Sequence, residues 1–262
     1  MRVAIGICYD GANFEGWQSQ LSGNTVQDRL EHALQCISGT PVRVIGAGRT
    51  DSGVHALAQV AHFDCDVERP DSAWVRGTNA QLPPQIAVQW ARRTSPEFHA
   101  RFSATSRSYH YLLYSHAVRP ALLAGKVGWF HRPLDLGRMR EAAGMMLGEH
   151  DFSSFRSSQC QSRSPVRRLT EARVDSRGAY FVFRFSANAF LHHMVRNLVG
   201  CLVHVGKGAA PPCWVNDVLA ARDRKMAAPT FSADGLYLTE VRYANRWQLP
   251  SSTDVMPPGI DV

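Results

Sequence analysis

VRVIGAGRTDSGVHALAQVAHFDCD, residues 42–66, decides the fold: two strand-like runs, VRVIGA at 42–47 and ALAQVAHFDCD at 56–66, are joined by a glycine-punctuated loop. Upstream, VAIGICY at 3–9 reads as a strand, and Asp10-Gly11-Ala12-Asn13 supplies turn chemistry before the aromatic segment FEGWQSQ. Between strand and loop lies a helix. Thr25 caps it with Asp28 at the third helical position, Val26, Leu30, Ala33, Leu34 and Ile37 recur along one face, and Gly39 ends it. Downstream, NAQLPPQIAVQWARR at 79–93 turns from a proline corner into an apolar run, and RFSATSRSYHYLLYSH at 101–116 reads as one more strand.

The pattern then restarts, so the expectation is two halves, 1–100 and 101–250, followed by a loose tail over 251–262. In the second half MREAAGMMLGEH, 139–150, reads as a helix with Ala142, Met145 and Met146 inward. The polar, basic loop SFRSSQCQSRSPVRR leads from it to a hairpin turning at Arg177-Gly178, whose alternation puts Phe181, Phe183 and Phe185 on one face. The clearest helix is NAFLHHMVRNLVGCLVHVGKG, with Asn188 as its cap and Leu191, Met194, Val195, Leu198, Leu202 and Val205 as its stripe. Arg196 lies roughly 120° from that stripe, away from the helix's own core. A helix around 214–224 and the strand GLYLTEVRY at 235–243 complete an α+β fold.

Composition narrows the function classes. The 262 residues are 45% hydrophobic and 19% charged, which is a folded chain with ample core and no single-sign tract. No run of about 18 apolar residues exists, and Asp10 interrupts the N-terminus before a signal-peptide core could form, so neither membrane span nor secretion is expected. Six scattered cysteines without a CxxC pair argue against a zinc knuckle or disulfide framework and fit reduced thiols in a cytoplasm. The net charge of +7 makes a polyanionic partner plausible.

Placement of the polar residues sharpens this. Asp51 sits in GAGRTDSGVHA, 46–56, where glycines let the backbone turn sharply toward a ligand. Arg49, two before it, suits a phosphate or the carboxylate itself, and His55, four after, adds a second polar group. On the strand from 101, Arg107, Tyr109 and Tyr111 share one face, which sets a cation beside flat rings; packing of those tyrosines in the core is the competing reading. Arg156, Arg163, Arg167 and Arg168 form a second basic cluster suited to phosphates or to plain solvation. His192-His193 has no third ligand at helical spacing, so no metal is expected, and the absence of Walker, GxGxxG, HExxH and GxSxG motifs removes the usual support for other enzyme classes.

These segments, taken in order, resemble the TruA-type family of tRNA pseudouridine synthases. YDGANFEGWQ, GRTDSGVHA, NAQLP, FHARFSATSRSYHY, DFSSFR, CQSRSP, NAFLHHMVRNLVG and GLYL all match, covering nearly the whole chain. The resemblance implies two α/β-like halves with mainly antiparallel sheets joined across a basic RNA-binding cleft, a homodimer, and isomerisation of uridines 38, 39 and 40 in the tRNA anticodon stem-loop without metal or cofactor. It makes Asp51 the catalytic aspartate, Arg49 the arginine that helps flip and hold the nucleotide, Tyr109 the ring stacked on uracil, and Arg196 the arginine paired with the aspartate. His55, Arg107, Tyr111, Arg163, Arg167, Arg168 and Leu236 are further candidate RNA or pocket contacts, with Tyr237 beside Leu236 as pocket wall. One departure is Ser52, where the family more often has alanine. A tRNA-binding protein without turnover and a metal-dependent nuclease are the alternatives, the latter lacking clustered carboxylates or histidines.

Overall fold

The computed structural model describes residues 1–250; the expected tail lies outside the described residues. In chain order the elements are β1 (Arg2–Tyr9), α1 (Val26–Ser38), β2 (Ile45–Gly46), β3 (His55–Asp64), α2 (Asp71–Gln81), β4 (Ile86–Thr94), β5 (Ala104–Ser115), β6 (Gly128–Phe130), α3 (Leu136–Gly144), β7 (Gly148–Asp151), β8 (Val166–Arg177), β9 (Tyr180–Ala187), α4 (Met194–Gly206), α5 (Trp214–Ala221) and β10 (Leu236–Tyr243). The class is α+β with predominantly antiparallel pairing. Among the described residues two compact units form: residues 1–106 with 237–250, and residues 107–236. The chain thus changes unit at 106/107, against a sequence boundary near 100, and the end of the region read as the second half returns to the first unit.

In the first unit the strand order is β4-β1-β3-β10, with the short β2 also on β3. β1 is antiparallel to both neighbours, with Arg2 opposite Asp64 and Thr94, and Tyr9 opposite Ala56 and Ile86. Both faces of β1 are buried because its odd and even residues meet different layers. On one face lie the helices: Val26, Leu30, Ala33 and Leu34 of α1 are buried, and Trp74 of α2 packs edge-on against Phe63 at 5.1 Å. Each large side chain so enclosed contributes about 1.5–3 kcal/mol relative to exposure. Ala4, Ala47 and Val60 face the other way into a cluster with Phe98 and Ala100, joined by Tyr243 and Trp247 from the returning segment.

Helix α1 starts and stops as its residues dictate: the Thr25 side chain accepts the Asp28 N–H, and Gly39 closes the C-terminus at φ 74°. Helix α2 is a finding the periodicity did not announce. It follows Pro70, has no side-chain cap, and buries only Trp74 and Thr78, one turn apart. The run at 42–47 forms strand only at Ile45–Gly46.

The second unit has the order β5-β9-β8-β7, with β6 parallel to β5. Phe181, Phe183 and Phe185 of β9 lie on the buried face, as alternation requires, and Gly178 makes the hairpin turn at φ 58°. The helix read over 139–150 is corrected: α3 ends at Gly144, and Gly148, at φ 103°, begins the edge strand β7, leaving Met145 half-buried beyond the helix. The helix read from Asn188 is corrected as well. It begins at Met194 after His193 at φ 63°, because Leu191 to Met194 closes a turn and Asn188 spends its side chain on the Arg168 and Ala189 N–H groups instead of capping.

Candidate active site

Asp51 occupies the turn between β2 and β3, whose backbone is pinned at several points. The Ala47 N–H donates to Val60 O at 2.7 Å, Gln59 Nε2 donates to Gly48 O at 2.7 Å, and the Trp17 N–H donates to Thr50 O at 3.0 Å. The buried hydroxyls of Tyr9 and Thr50 bond at 2.8 Å. After the carboxylate, the Val54 N–H closes back on Asp51 O at 3.1 Å, with Gly53 at φ 80°. Asp51 itself is half-buried and Arg49 is exposed. A charged side chain is therefore carried on a backbone with few alternative conformations, which is what positioning a reactive group requires.

The segment YDGANFEGWQ is the other wall of this turn. A side chain at Gly11 would collide with the Val54 carbonyl, and one at Gly16, where φ is 89°, would lie 2.6 Å from Thr50 O. Only glycine permits that approach. Ser52, the departure from the family pattern, uses its hydroxyl productively: Oγ donates to Phe14 O at 3.2 Å, tying the turn to the same segment.

His55 begins β3 and is buried at 2% exposure, so its place is behind the turn. Its Nδ1 lies 3.0 Å from the Gly11 N–H and 3.1 Å from Asp10 Oδ1. Nδ1 accepts from Gly11 when it is bare and donates to Asp10 when it carries the proton, so the two contacts belong to different tautomers of the ring. The Tyr237 ring stacks on His55 at 4.6 Å, and burial, reinforced by the Asp10 charge, raises the Tyr237 hydroxyl well above the ordinary tyrosine range.

In the second unit the Tyr109 strand is β5, as read. Arg107, Tyr109 and Tyr111 alternate onto one face opposite Ala187, Phe185 and Phe183 of β9. Tyr109 retains 8% exposure, with Phe190 edge-on at 5.1 Å. Arg107 is equally buried and Nη1 donates to Asn188 O at 3.0 Å. Tyr111 is fully enclosed, its hydroxyl donating to Ser232 O at 3.1 Å, and burial drives its acidity far below that of ordinary tyrosine. The core reading of Tyr111 thus describes its surroundings, and Leu236 is buried too.

Arg196 stands in the first turn of α4, half-buried. Its Nε donates to Phe231 O at 2.9 Å while the Phe231 N–H donates to Arg196 O at 3.2 Å, a two-way clasp between helix and strap. The strap is held by Asn197, whose Nδ2 donates to Phe155 O at 2.7 Å and whose Oδ1 accepts from Thr230 Oγ1 at 2.7 Å and Arg224 Nη2 at 3.1 Å. Where the strap crosses, α4 has Gly200, since any Cβ there would strike Pro229 O. The segment DFSSFR joins through the Ser157 N–H, which donates to His192 O at 2.9 Å. The His192 and His193 rings stand 4.1 Å apart just before the helix, so the helical angle expected between them does not apply.

The stretch read as a basic loop to residue 168 is corrected: β8 already begins at Val166, so Arg163 is exposed in the loop and Arg168 exposed on the strand, whereas Arg167, also on β8, folds back, donating to Ser164 O, Val166 O and Ser162 Oγ. Sequence reading assigned no role to Thr50, Gln59, Phe190, Asn197 and Phe231. Thr50 lies inside GRTDSGVHA and Phe190 and Asn197 inside NAFLHHMVRNLVG, whereas Gln59 and the Phe231 strap lie outside the matching segments.

A family model described as tRNA pseudouridine synthase matches residues 7–103 and 142–244. The tRNA pseudouridine synthase A of Burkholderia cenocepacia (strain HI2424) is 59% identical over 95% of this chain and 93% of its own. That of Paraburkholderia xenovorans (strain LB400) is 57% identical over the same shares. Among solved structures, a Cbf5-Nop10-Gar1 complex aligns with 90% of this chain and 48% of its own at 13% identity and TM-score 0.37, too slight a likeness to build on.

Proposed function

This chain belongs to the tRNA pseudouridine synthase family, and we propose that it acts through Asp51 on uridines 38, 39 and 40 of the tRNA anticodon stem-loop. The C1′–N1 bond of uridine breaks, uracil turns in the site, C5 bonds to C1′, N1 gains a proton and C5 loses one. Attack on C1′, addition to the base, and removal of a ribose proton on a glycal route each require an ionised carboxylate at the sugar and base, and Asp51 is assigned that role.

The target base must leave its stack at a cost of a few kcal/mol. Arg49 is assigned to help flip and hold the nucleotide, Tyr109 to stack on the uracil, and Arg196 to keep the carboxylate ionised once bound RNA excludes water. Arg163 and Arg168 are assigned to phosphates, Arg107 and Arg167 to the framework and phosphates together, and His55, Tyr111 and Leu236 to the walls behind the site. Recognition by shape and phosphates suits an enzyme that serves neighbouring positions. The reading includes a homodimer and a cytoplasmic setting, the latter supported by six free cysteines. Among the described residues no helix is long and apolar enough to cross a membrane.

The observation that carries the assignment of Asp51 is the pinned glycine-lined turn that presents it. The test is tritium release from tRNA labelled at uracil C5, run in chelator, with the product mapped by carbodiimide. Asp51→Asn is expected to lower release by at least about a thousandfold while leaving the tRNA Kd within about twofold. Turnover by that variant refutes the assignment, and tRNA binding by the native chain without release would make it a binding protein only.

A further inference from the structure

At the far end of the first unit's sheet, Arg92, Arg93, Thr94, Ser95, Glu97, Arg246, Trp247 and Gln248 line a cleft of about 430 Å³. Three of these groups are guanidiniums and one is a carboxylate, so the lining is net positive. Two of the cations are held in place. Arg246 lies over the Trp247 ring at 4.7 Å, and that ring is seated edge-on against the fully buried Phe98 at 5.3 Å. Arg93 Nη1 is steadied by Glu68 Oε1 at 2.6 Å. Gln248 follows in the left-handed region at φ 46°, closing the short turn Asn245–Trp247 with its N–H on Asn245 O at 3.0 Å.

The register fixes where the cleft stands relative to Asp51. Tyr9, which bonds Thr50 beside Asp51, is opposite Ile86, whereas Arg2 at the other end of β1 is opposite Thr94. Seven residue steps at about 3.4 Å put the cleft roughly 25 Å from the catalytic turn. A span of that length reaches past the bases beside the reacting uridine. We propose that this cleft is a second tRNA contact, a phosphodiester-binding site formed by Arg92, Arg93 and Arg246 that engages the body of the tRNA away from the anticodon loop.

The inference rests on the tRNA reading above, and its test separates the two. Arg92→Gln/Arg246→Gln is compared with the native chain for binding and isomerisation of full-length tRNA and of an isolated anticodon stem-loop, over a salt series. For tRNA the variant's Kd and KM should rise about tenfold and its log–log salt slope should become shallower by about two, with kcat unchanged; for the stem-loop Kd should move less than twofold. A salt slope identical to that of the native chain, or an equal loss on both RNAs, overturns the remote contact. Loss of self-association in sedimentation with unchanged RNA binding overturns it too, assigning the cleft to protein contact. The binding arm judges the cleft independently of turnover, and absence of isomerisation by the native chain would count against the function reading alone.

Discussion

Replacing Asn197 with leucine keeps the volume of a fully buried side chain and removes only its polarity, which isolates what the network under Arg196 contributes. Three hydrogen bonds disappear: to Phe155 O at 2.7 Å, from Thr230 Oγ1 at 2.7 Å, and from Arg224 Nη2 at 3.1 Å. Thr230 and Arg224 still hold one another at 3.0 Å, so part of the loss is recovered. The Phe155 carbonyl loses its Asn197 donor in the interior. At about 1 kcal/mol for a neutral bond, somewhat more for the charged one, and 1–3 kcal/mol for a stranded carbonyl, Asn197→Leu should cost roughly 3–5 kcal/mol. Thr230→Val, which removes two bonds and leaves Arg224 on Asn197 Oδ1, should cost about 1–2 kcal/mol. Urea unfolding followed by circular dichroism measures both. Because the Thr230 strap carries the Phe231 carbonyl that clasps Arg196, kcat of the folded leucine variant should also fall, by about tenfold or more, with tRNA Kd little changed. A leucine variant within 1 kcal/mol of the native chain, or one as active, would show that the network neither stabilises nor positions.

Other perturbations follow from single contacts. His62 is buried, accepts the Ala100 N–H on Nδ1 at 3.2 Å, and is held neutral by burial and by the Arg2 charge down to about 4, against 6.5 in the unfolded chain. Because the unfolded chain takes up the proton first, stability should fall on acidification, by about 2 kcal/mol at pH 5 and about 3 kcal/mol in full, and His62→Gln should remove that slope; parallel pH–stability curves would refute this. Gly16→Ala meets both the positive φ and the Thr50 carbonyl, so it should cost at least about 2 kcal/mol and lower kcat, as urea unfolding and tritium release would record. Ser52→Ala loses one part-buried hydrogen bond at 3.2 Å and should stay within about 1 kcal/mol and twofold in activity.

Legibility in the sequence followed how local the cause was. The cap at Thr25, the turn at Gly178 and the phenylalanine face of β9 are set by neighbours in sequence, so pattern alone locates them. Helix α2 escaped because tertiary packing of Trp74 on Phe63 supports a segment whose own periodicity amounts to two residues. The start of α4 escaped for the opposite reason: the apolar stripe runs on through Leu191, while Asn188 is spent on other backbone groups and His193 breaks the helix. In the candidate site, glycine spacing around Asp51 marked a presented carboxylate. The hold of Phe231 on Arg196, across 35 positions, and the Tyr9 to Thr50 bond, across 41, have no local signature. The return of β10 to the first unit is likewise a long-range choice, made where Tyr237 and Leu238 pair parallel with His55 and Ala56.

Each unit positions its assigned residue by the same device, a segment clasped through backbone groups and admitted by glycine. In the first, Thr50 O is held by the Trp17 N–H across Gly16; in the second, Arg196 and Phe231 exchange bonds beside Gly200. Short hydrogen bonds to backbone carbonyls respond little to ionic strength, whereas contacts between surface arginines and phosphates are screened within about 10 Å at 0.1 M salt. Geometry and affinity are therefore set by forces with different salt dependence. Raising salt from 50 to 200 mM should increase KM for tRNA by orders of magnitude, following counterion release, while kcat at saturating tRNA stays within about twofold. A kcat that fell in parallel with affinity would mean that surface charge, and not the buried clasps, holds the reacting groups in place.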